Sequence, residues 1–422
     1  MSRRDFVQAA GIAAAAPILI PNPALAHSGR PGPNGKIGIG IIGTGKRAFE
    51  ILPELLGRDD VRITAVCDVD TTRRDKAKRD VDTKYTNTDC ATHIDYREVL
   101  SRKDVDAVLI GTPDHWHANM IIDAAKLRKD IYCEKPLTLM LTEGRLVIEA
   151  CRKYAVVHQT GSQQRTEFGH QFVKACEYVK SGRIGELLTV HVGVGTSSKA
   201  CDLPEEPMEK GLDWDRWLGP APMRPYNSIL SPRGVHGHFP KWRDYWEYSG
   251  GGLTDMGAHN FDIAHWGMDM DASGPVEVIP PKNEKSMYGA KLVYANGVEV
   301  IHGGPGGITF TGTTGVISVF RDYLKSIPDS ILSEPLKDGD VKLPRHKSHV
   351  DNFMSCIKTR DKPLCDVEVG ARSIACAHLC NMAYWHRRRL KWDPVKWEFP
   401  GDAQANAWLT YERRKGYELP TI

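Results

Sequence analysis

Between residues 36 and 161 short apolar runs alternate with amphipathic stretches. The runs 36–42, 62–68, 105–110, 130–133 and 155–160 fit strands, and 46–57, 71–84, 95–102, 116–128 and 142–154 fit the helices between them. Such alternation predicts an α/β, doubly wound parallel sheet with helices on both faces. Past residue 162 the pattern changes. A helix over 165–181 leads into a strand over 186–195, and then into a loop-rich region holding Trp214, Trp217, Tyr226, Trp242, Tyr245, Trp246 and Tyr248. The runs 275–280, 287–294, 298–302, 307–311 and 315–320 follow as successive strands with Gly and Asn turns. Strands in series predict an open, mostly antiparallel sheet, so the second half reads as an α+β domain. Helical periodicity returns at 346–359 and 367–389. The expected organisation is one domain over 36–161, a second over 162–390, and a tail over 391–422 packed on the domains.

The chain opens differently. Arg3-Arg4 precede the apolar run 9–20 and the small-residue site Ala24-Leu25-Ala26. A charged, apolar and cleavage region in that order reads as a signal peptide over 1–26, and the paired arginines mark the twin-arginine route to the periplasm or beyond. Residues 27–35 then form a Gly/Pro-rich linker. The apolar run is short for a membrane span. Removal of the signal leaves about 396 residues, enough for two domains. A net charge of +3 with 26% charged residues implies no nucleic-acid or membrane field. The ten cysteines include no C-x-x-C pair, and Cys67, Cys133 and Cys151 sit in apolar runs as buried thiols. An exported protein could hold a disulfide, but no pair is indicated.

Chemistry concentrates where the first-domain strands end. The run 36–42 leads into Gly43-Thr-Gly45-Lys46-Arg47-Ala48, a match to the G-x-G-x-x-G/A dinucleotide fingerprint placed between a strand and a helix. Gly43 allows the tight turn, Gly45 admits a pyrophosphate, and Ala48 lets the helix opened by Lys46 and Arg47 pack against the strand. Asp68, about twenty residues on, is placed to accept hydrogen bonds from an adenosine ribose. Two further strand ends carry Gly111-Thr112-Pro113-Asp-His-Trp-His117 and Cys133-Glu134-Lys135-Pro136. In the second half, Gly250-Gly-Gly-Leu-Thr-Asp255-Met-Gly-Ala-His259 runs from glycines into a helix that puts Asp255 and His259 on one face.

Taken together, the fingerprint, Thr112-Pro113-x-x-x-His117, Glu134-Lys135-Pro136 and the Asp255-x-x-x-His259 pair resemble the Gfo/Idh/MocA family of glucose-fructose oxidoreductase, inositol dehydrogenase and rhizopine catabolism proteins. The resemblance covers essentially the whole mature chain. It implies a Rossmann domain beside the open sheet, with the active site in the crevice between them. Gly43, Gly45, Lys46, Arg47, Asp68, Thr112, Pro113, His117, Glu134 and Lys135 would then bind the dinucleotide. Lys135 would also reach the substrate hydroxyl, through a Lys135–Pro136 peptide that is often cis in the family. Lys135, Asp255 and His259 would be catalytic, with a carboxylate orienting the histidine as it takes the hydroxyl proton.

The activity so implied is NAD(P)-dependent oxidation of a hydroxyl on a sugar, glycoside or cyclitol. Asp68 favours NAD, while Arg73 and Arg74 keep NADP open. The rival within the superfamily is an NAD-dependent glycoside hydrolase working by transient oxidation, elimination and re-reduction; that branch commonly replaces the lysine, so Lys135 favours the dehydrogenase. An exported enzyme must keep its nucleotide, so tight binding is expected, and so is a homo-oligomer. His236-Gly-His238 beside Asp255 and His259 could in principle hold a metal, but the family chemistry needs none and none is expected. Part of Trp242-Arg243-Asp244-Tyr245-Trp246 is expected to contact carbohydrate. The basic run over 386–389 reads as a helix end in solvent rather than a nucleic-acid site.

Overall fold

The computed structural model describes residues 35–422, so the signal sequence and all but the last residue of the linker lie outside the described residues. Strands β1 (Ile37–Ile42), β2 (Val61–Cys67), β3 (Ala91–His93), β4 (Ala107–Ile110), β5 (Asp130–Cys133) and β6 (His158–Thr160) form one parallel sheet in the order β3-β2-β1-β4-β5-β6. β1, β4 and β5 are buried along their whole length, as their unbroken apolar character requires of strands covered by helices on both faces. The strand order reverses between β1 and β4, which opens a crevice at their carboxyl ends. β3 has no counterpart among the strands expected from the sequence. Its three residues, Ala91-Thr-His93, form an edge strand whose hydropathy carries no apolar run.

The second sheet has eight strands: β7 (Leu187–Gly193), β8 (Glu277–Ile279), β9 (Lys291–Val293), β10 (Glu299–His302), β11 (Gly307–Gly312), β12 (Val316–Val319), β13 (Leu324–Ile327) and β14 (Leu390–Lys391). Their order is β13-β12-β11-β7-β10-β9-β8-β14, antiparallel throughout except for the parallel pair β7–β10. Alternate residues such as Val190, Val192, Val300, Ile308 and Phe310 point into the core. The helix Gly257–Met268 is buried at every position, packed between this sheet and the helix Val367–His386. A helix enclosed on all sides is a fixed platform, and His259 stands in its first turn.

Two expected helices are shorter than their hydropathy suggests. In place of 165–181 there are 3-10 turns at Gln163–Arg165 and Phe168–His170, then the helix Gln171–Lys180. Phe168, Gly169 and His170 take φ of 57°, 63° and 58°, a left-handed run that a right-handed helix cannot pass through. The 367–389 helix stops at His386 because Arg387 turns left-handed at φ 52°. Arg388 and Arg389 then pair with Asp402 and Glu277, so acidic side chains of the fold neutralise most of the basic run.

The turn at Gln163–Arg165 is pinned by charge. Arg165 is 1% exposed; it bonds both oxygens of the fully buried Asp262 at 2.8 Å and reaches Asp271 at 2.7 Å. A guanidinium so far from water persists only with its carboxylates in place. Asp262→Ala is expected to cost about 3 kcal/mol in denaturant unfolding, because it removes the buried one of the two carboxylates that offset Arg165. A loss below about 1 kcal/mol would show that the pair contributes little.

Candidate active site

The glycine turn after β1 is built by close approach. Gly43 has φ +81°, and a Cβ there would sit 2.8 Å from the Thr112 backbone nitrogen. Gly45 differs. Its φ is an ordinary −77°, and a Cβ on it would meet no protein atom within 4 Å, although the residue lines the crevice. The fold itself does not demand a glycine at 45. The space in front of it lies at the start of the helix Lys46–Leu56, where unpaired N–H groups favour an anion. Asp68 holds the turn from β2: one carboxylate oxygen accepts from Thr44 N at 2.8 Å and Thr44 Oγ1 at 3.1 Å, and the other from Asp70 N at 2.8 Å. A carboxylate has about four acceptor sites, so capacity remains for a hydroxyl. Arg73 donates to the carbonyls of Pro232 and Gly234, and Arg74 pairs with Asp75, so both arginines that kept NADP open are engaged within the protein.

The crevice is a cavity of about 820 Å³ lined by residues from both halves of the chain. Gly43, Gly45, Lys46, Arg47, Asp68, Thr112, Pro113, Glu134, Lys135, Asp255 and His259 all line it. His117 does not. It is fully buried beneath the strand ends, with its ring nitrogens 2.7 Å from Pro136 O and 2.9 Å from Thr112 O. The expected direct contact to the dinucleotide is therefore corrected to a scaffold role: this ring ties the Thr112-Pro113 turn to the cis Lys135–Pro136 peptide. Burial lowers its pKa, while the hydrogen bonds to the two carbonyls oppose that shift.

Lys135 Nζ donates to Asp255 Oδ1 at 2.8 Å and to Asp255 O at 2.9 Å, and Arg243 Nε donates to Asp255 Oδ1 at 3.3 Å. Burial opposes the Asp255 charge, but the two cations outweigh it and hold the carboxyl at about 2. The expectation that this carboxylate orients His259 is not met: Lys135 and Arg243 both bond Asp255 Oδ1, and no hydrogen bond joins Asp255 to His259 among the described residues. His259 Nδ1 has no hydrogen-bond partner among the described residues. Burial, with Lys135, Arg321 and Arg47 nearby, drives the His259 pKa well below its usual value, so the ring stays neutral.

Of the other lining residues, Glu134 was expected at the dinucleotide, whereas Asp114 and Arg321 were not singled out from the sequence. Glu134 accepts from Arg47 Nε at 3.0 Å and from Gln163 Nε2 at 2.8 Å, so it fixes a cation at the start of the first helix. Asp114, within the Gly111–His117 stretch, is buried and accepts from Ser249 Oγ at 2.6 Å; burial pushes its carboxyl up to about 7. Arg321 enters from the turn between β12 and β13. Of the aromatic stretch, Trp242 and Arg243 line the cavity and stack on each other, with Arg243 Cζ 4.1 Å from the Trp242 ring centre, whereas Tyr245 packs in a local core and Trp246 is exposed. His236 and His238 stack at 4.4 Å, and among the described residues no three His, Cys, Asp or Glu side chains come together to hold a metal. All ten cysteines are unpaired.

Comparison with known proteins follows this division. Residues 37–162 match the oxidoreductase family described by its NAD-binding Rossmann fold, and residues 174–419 match that family's C-terminal alpha/beta domain. The chain belongs to this Gfo/Idh/MocA oxidoreductase family. Its first domain is an NAD-binding Rossmann domain, and NAD is its cofactor. Among solved structures, a WlbA dehydrogenase of Chromobacterium violaceum bound to NADH and UDP-GlcNAcA aligns over 86% of this chain and 98% of its own, with TM-score 0.61 and 18% identity. The aldose-aldose oxidoreductase of Caulobacter crescentus aligns over 84% and 99%, with TM-score 0.57 and 17% identity. At that identity the likeness establishes the fold. Curated relatives include an alpha-N-acetylgalactosaminidase of Shewanella oneidensis, 31% identical over 209 residues, and a glycosyl hydrolase family 109 protein of Shewanella putrefaciens, 29% identical over 208. Each match spans 44% of this chain and 44% of the relative.

The two glycines of the turn therefore have separable jobs. Gly43→Ala is expected to destabilise the fold by about 1–3 kcal/mol through backbone strain. Gly45→Ala is expected to unfold like the parent, within about 0.5 kcal/mol, yet bind NAD more weakly in a fluorescence titration. Unchanged NAD affinity in Gly45→Ala would contradict this assignment.

Proposed function

We propose that the protein is an exported, NAD-dependent enzyme that oxidises a hydroxyl of a sugar, glycoside or cyclitol. One observation carries the reading: a neutral histidine and a lysine–aspartate pair, drawn from opposite halves of the chain, line the same cavity as the dinucleotide turn. The bound nicotinamide supplies the hydride acceptor. The residues do the rest. His259, neutral and lining the cavity, takes the hydroxyl proton as the alcohol is oxidised. Lys135, held by Asp255, donates toward the same oxygen and stabilises negative charge that develops on it. Asp255 acts as a positioning residue for Lys135 and Arg243. Trp242 offers an apolar face beside these polar groups, the combination a pyranose or cyclitol ring needs.

In the nucleotide half, Gly43, Gly45, Lys46 and Arg47 would receive the pyrophosphate, Asp68 the adenosine ribose, and Thr112, Pro113 and Glu134 would flank the nicotinamide side. The engagement of Arg73 and Arg74 favours NAD over NADP. Export by the twin-arginine route, read from residues 1–26, calls for a nucleotide retained through the cycle. A second reading is favoured by the family 109 names of the curated relatives, namely a redox-neutral glycosidase that oxidises a sugar, eliminates the aglycone and reduces the product again. Aryl glycosides and free sugars separate the two: net NADH from free sugar marks the dehydrogenase, and aglycone release without net NADH marks the glycosidase.

Both readings need the same base. His259→Ala should lower turnover by about 10²–10⁴-fold while retaining bound NAD. A base works deprotonated, and burial has moved the His259 pKa downward, so wild-type turnover should persist as pH falls through about 6.5. Normal turnover in His259→Ala, or an acid limb near 6.5 that this variant abolishes, would contradict the assignment.

A further inference from the structure

Four cations of the cavity lining act on Asp255 or His259, and three of them are matched. Arg47 pairs with Glu134 and Glu50, while Lys135 and Arg243 share Asp255. Arg321 is the exception. Among the described residues no carboxylate forms an ion pair with it, and its sole hydrogen bond runs from Nε to Gln164 Oε1 at 3.2 Å. Gln164 is itself fully buried and donates to His259 O at 3.3 Å and Asn260 Oδ1 at 3.2 Å, so Arg321 is referenced to the helix that carries His259. Its guanidinium carbon lies 4.8 Å from the centre of the Phe168 ring. Nε is tied and the plane is stacked, so the two terminal nitrogens are left as a preorganised fork in the cavity that His259 lines. Burial and the charge of Arg47 both work against this cation, and the more distant Glu167 and Asp255, neither of which pairs with it, offset them only in part.

A planar guanidinium fork matches an oxyanion through two parallel hydrogen bonds, which neither a hydroxyl nor an ether oxygen can reproduce. We propose that the carbohydrate acted on in this site bears an anionic substituent, a carboxylate or a sulfate ester, seated on Arg321. This rests on the carbohydrate reading above and narrows it to acidic sugars. The contact has a second effect. Arg321 is one of the charges that depress His259, so an anion on Arg321 makes the imidazole a stronger base when substrate arrives.

The test is equilibrium binding by calorimetry to the NAD-loaded protein, using galactose, galacturonate and galactose 6-sulfate. At least one of the two acidic sugars should bind about tenfold or more tightly than galactose, with the advantage falling as salt rises. Whichever acidic sugar shows the gain identifies the group. Arg321→Gln should erase the preference, and Arg321→Lys should restore part of it if a charge without the fork suffices for some of the gain. Equal binding of all three sugars, tighter binding of galactose, a preference that survives in Arg321→Gln, or no binding at all would each overturn the proposal. Nicotinamide absorbance with the same sugars judges the activity separately. Turnover of galactose with no acidic preference would leave the dehydrogenase reading standing and sink this one. Selective binding of an acidic sugar with no redox change and no aglycone release would do the reverse.

Discussion

Two cations on one carboxylate hold the halves of this site together. Lys135 lies just past the end of β5 in the parallel sheet, and Asp255 closes the short helix Gly252–Asp255, 120 residues away, yet they meet at 2.8 Å. Arg243 completes the arrangement from a third segment. An isolated ammonium or carboxylate in this crevice would lose hydration without replacement, so each charge depends on the others. The same pair sets the state of the neighbouring histidine. Lys135, kept in place by Asp255, is the foremost charge that lowers the His259 pKa after burial itself. Geometry and proton affinity thus follow from one ionic contact between domains.

Away from the reacting centre, backbone stitching closes the crevice. Thr71 N donates to Gly211 O at 2.9 Å and Asp213 N to Val69 O at 2.9 Å, which ties a loop of the second domain to the end of β2. Asp70, with no exposed surface, pairs with Arg233 at 2.8 Å, and Arg73 grips the carbonyls of Pro232 and Gly234. These contacts cross the end where Asp68, the carboxylate proposed for the adenosine ribose, stands. They resist separation of the domains there, an arrangement that suits a nucleotide kept rather than exchanged.

Much of this was legible in the chain. Continuous apolar runs set between amphipathic helices marked five of the six parallel strands, and the fingerprint located the turn, because those features are local and repeat. What escaped was local in form but tertiary in cause. β3 is three polar-leaning residues made into a strand by their neighbour β2. The helix expected from 165 was displaced by Arg165, whose burial against Asp262 fixes the turn before it. At the site, the lysine, aspartate and histidine were placed by motif, yet the partnership among them was not. Spacing suggested that Asp255 serves His259, whereas the carboxylate faces cations from elsewhere in the chain. Arg321 and Asp114 carry no motif, and only the fold brings them to the cavity. His117 shows the converse: a residue that fits a motif and is spent beneath the site on two carbonyls.

The shared fold fixes where a dinucleotide lies, and the side chains between the domains decide what is done there. The central claim is that Lys135 and Asp255 act as a unit, and a double-mutant cycle on kcat/KM tests it most directly. Lys135→Met, Asp255→Asn and the double variant would be compared with NAD loaded to the same level in each. The account predicts strong non-additivity, with the double variant no worse than the poorer single one, because either change alone already dismantles the pair. Losses that add in free energy within about 0.5 kcal/mol would show that the two residues work independently and would contradict it.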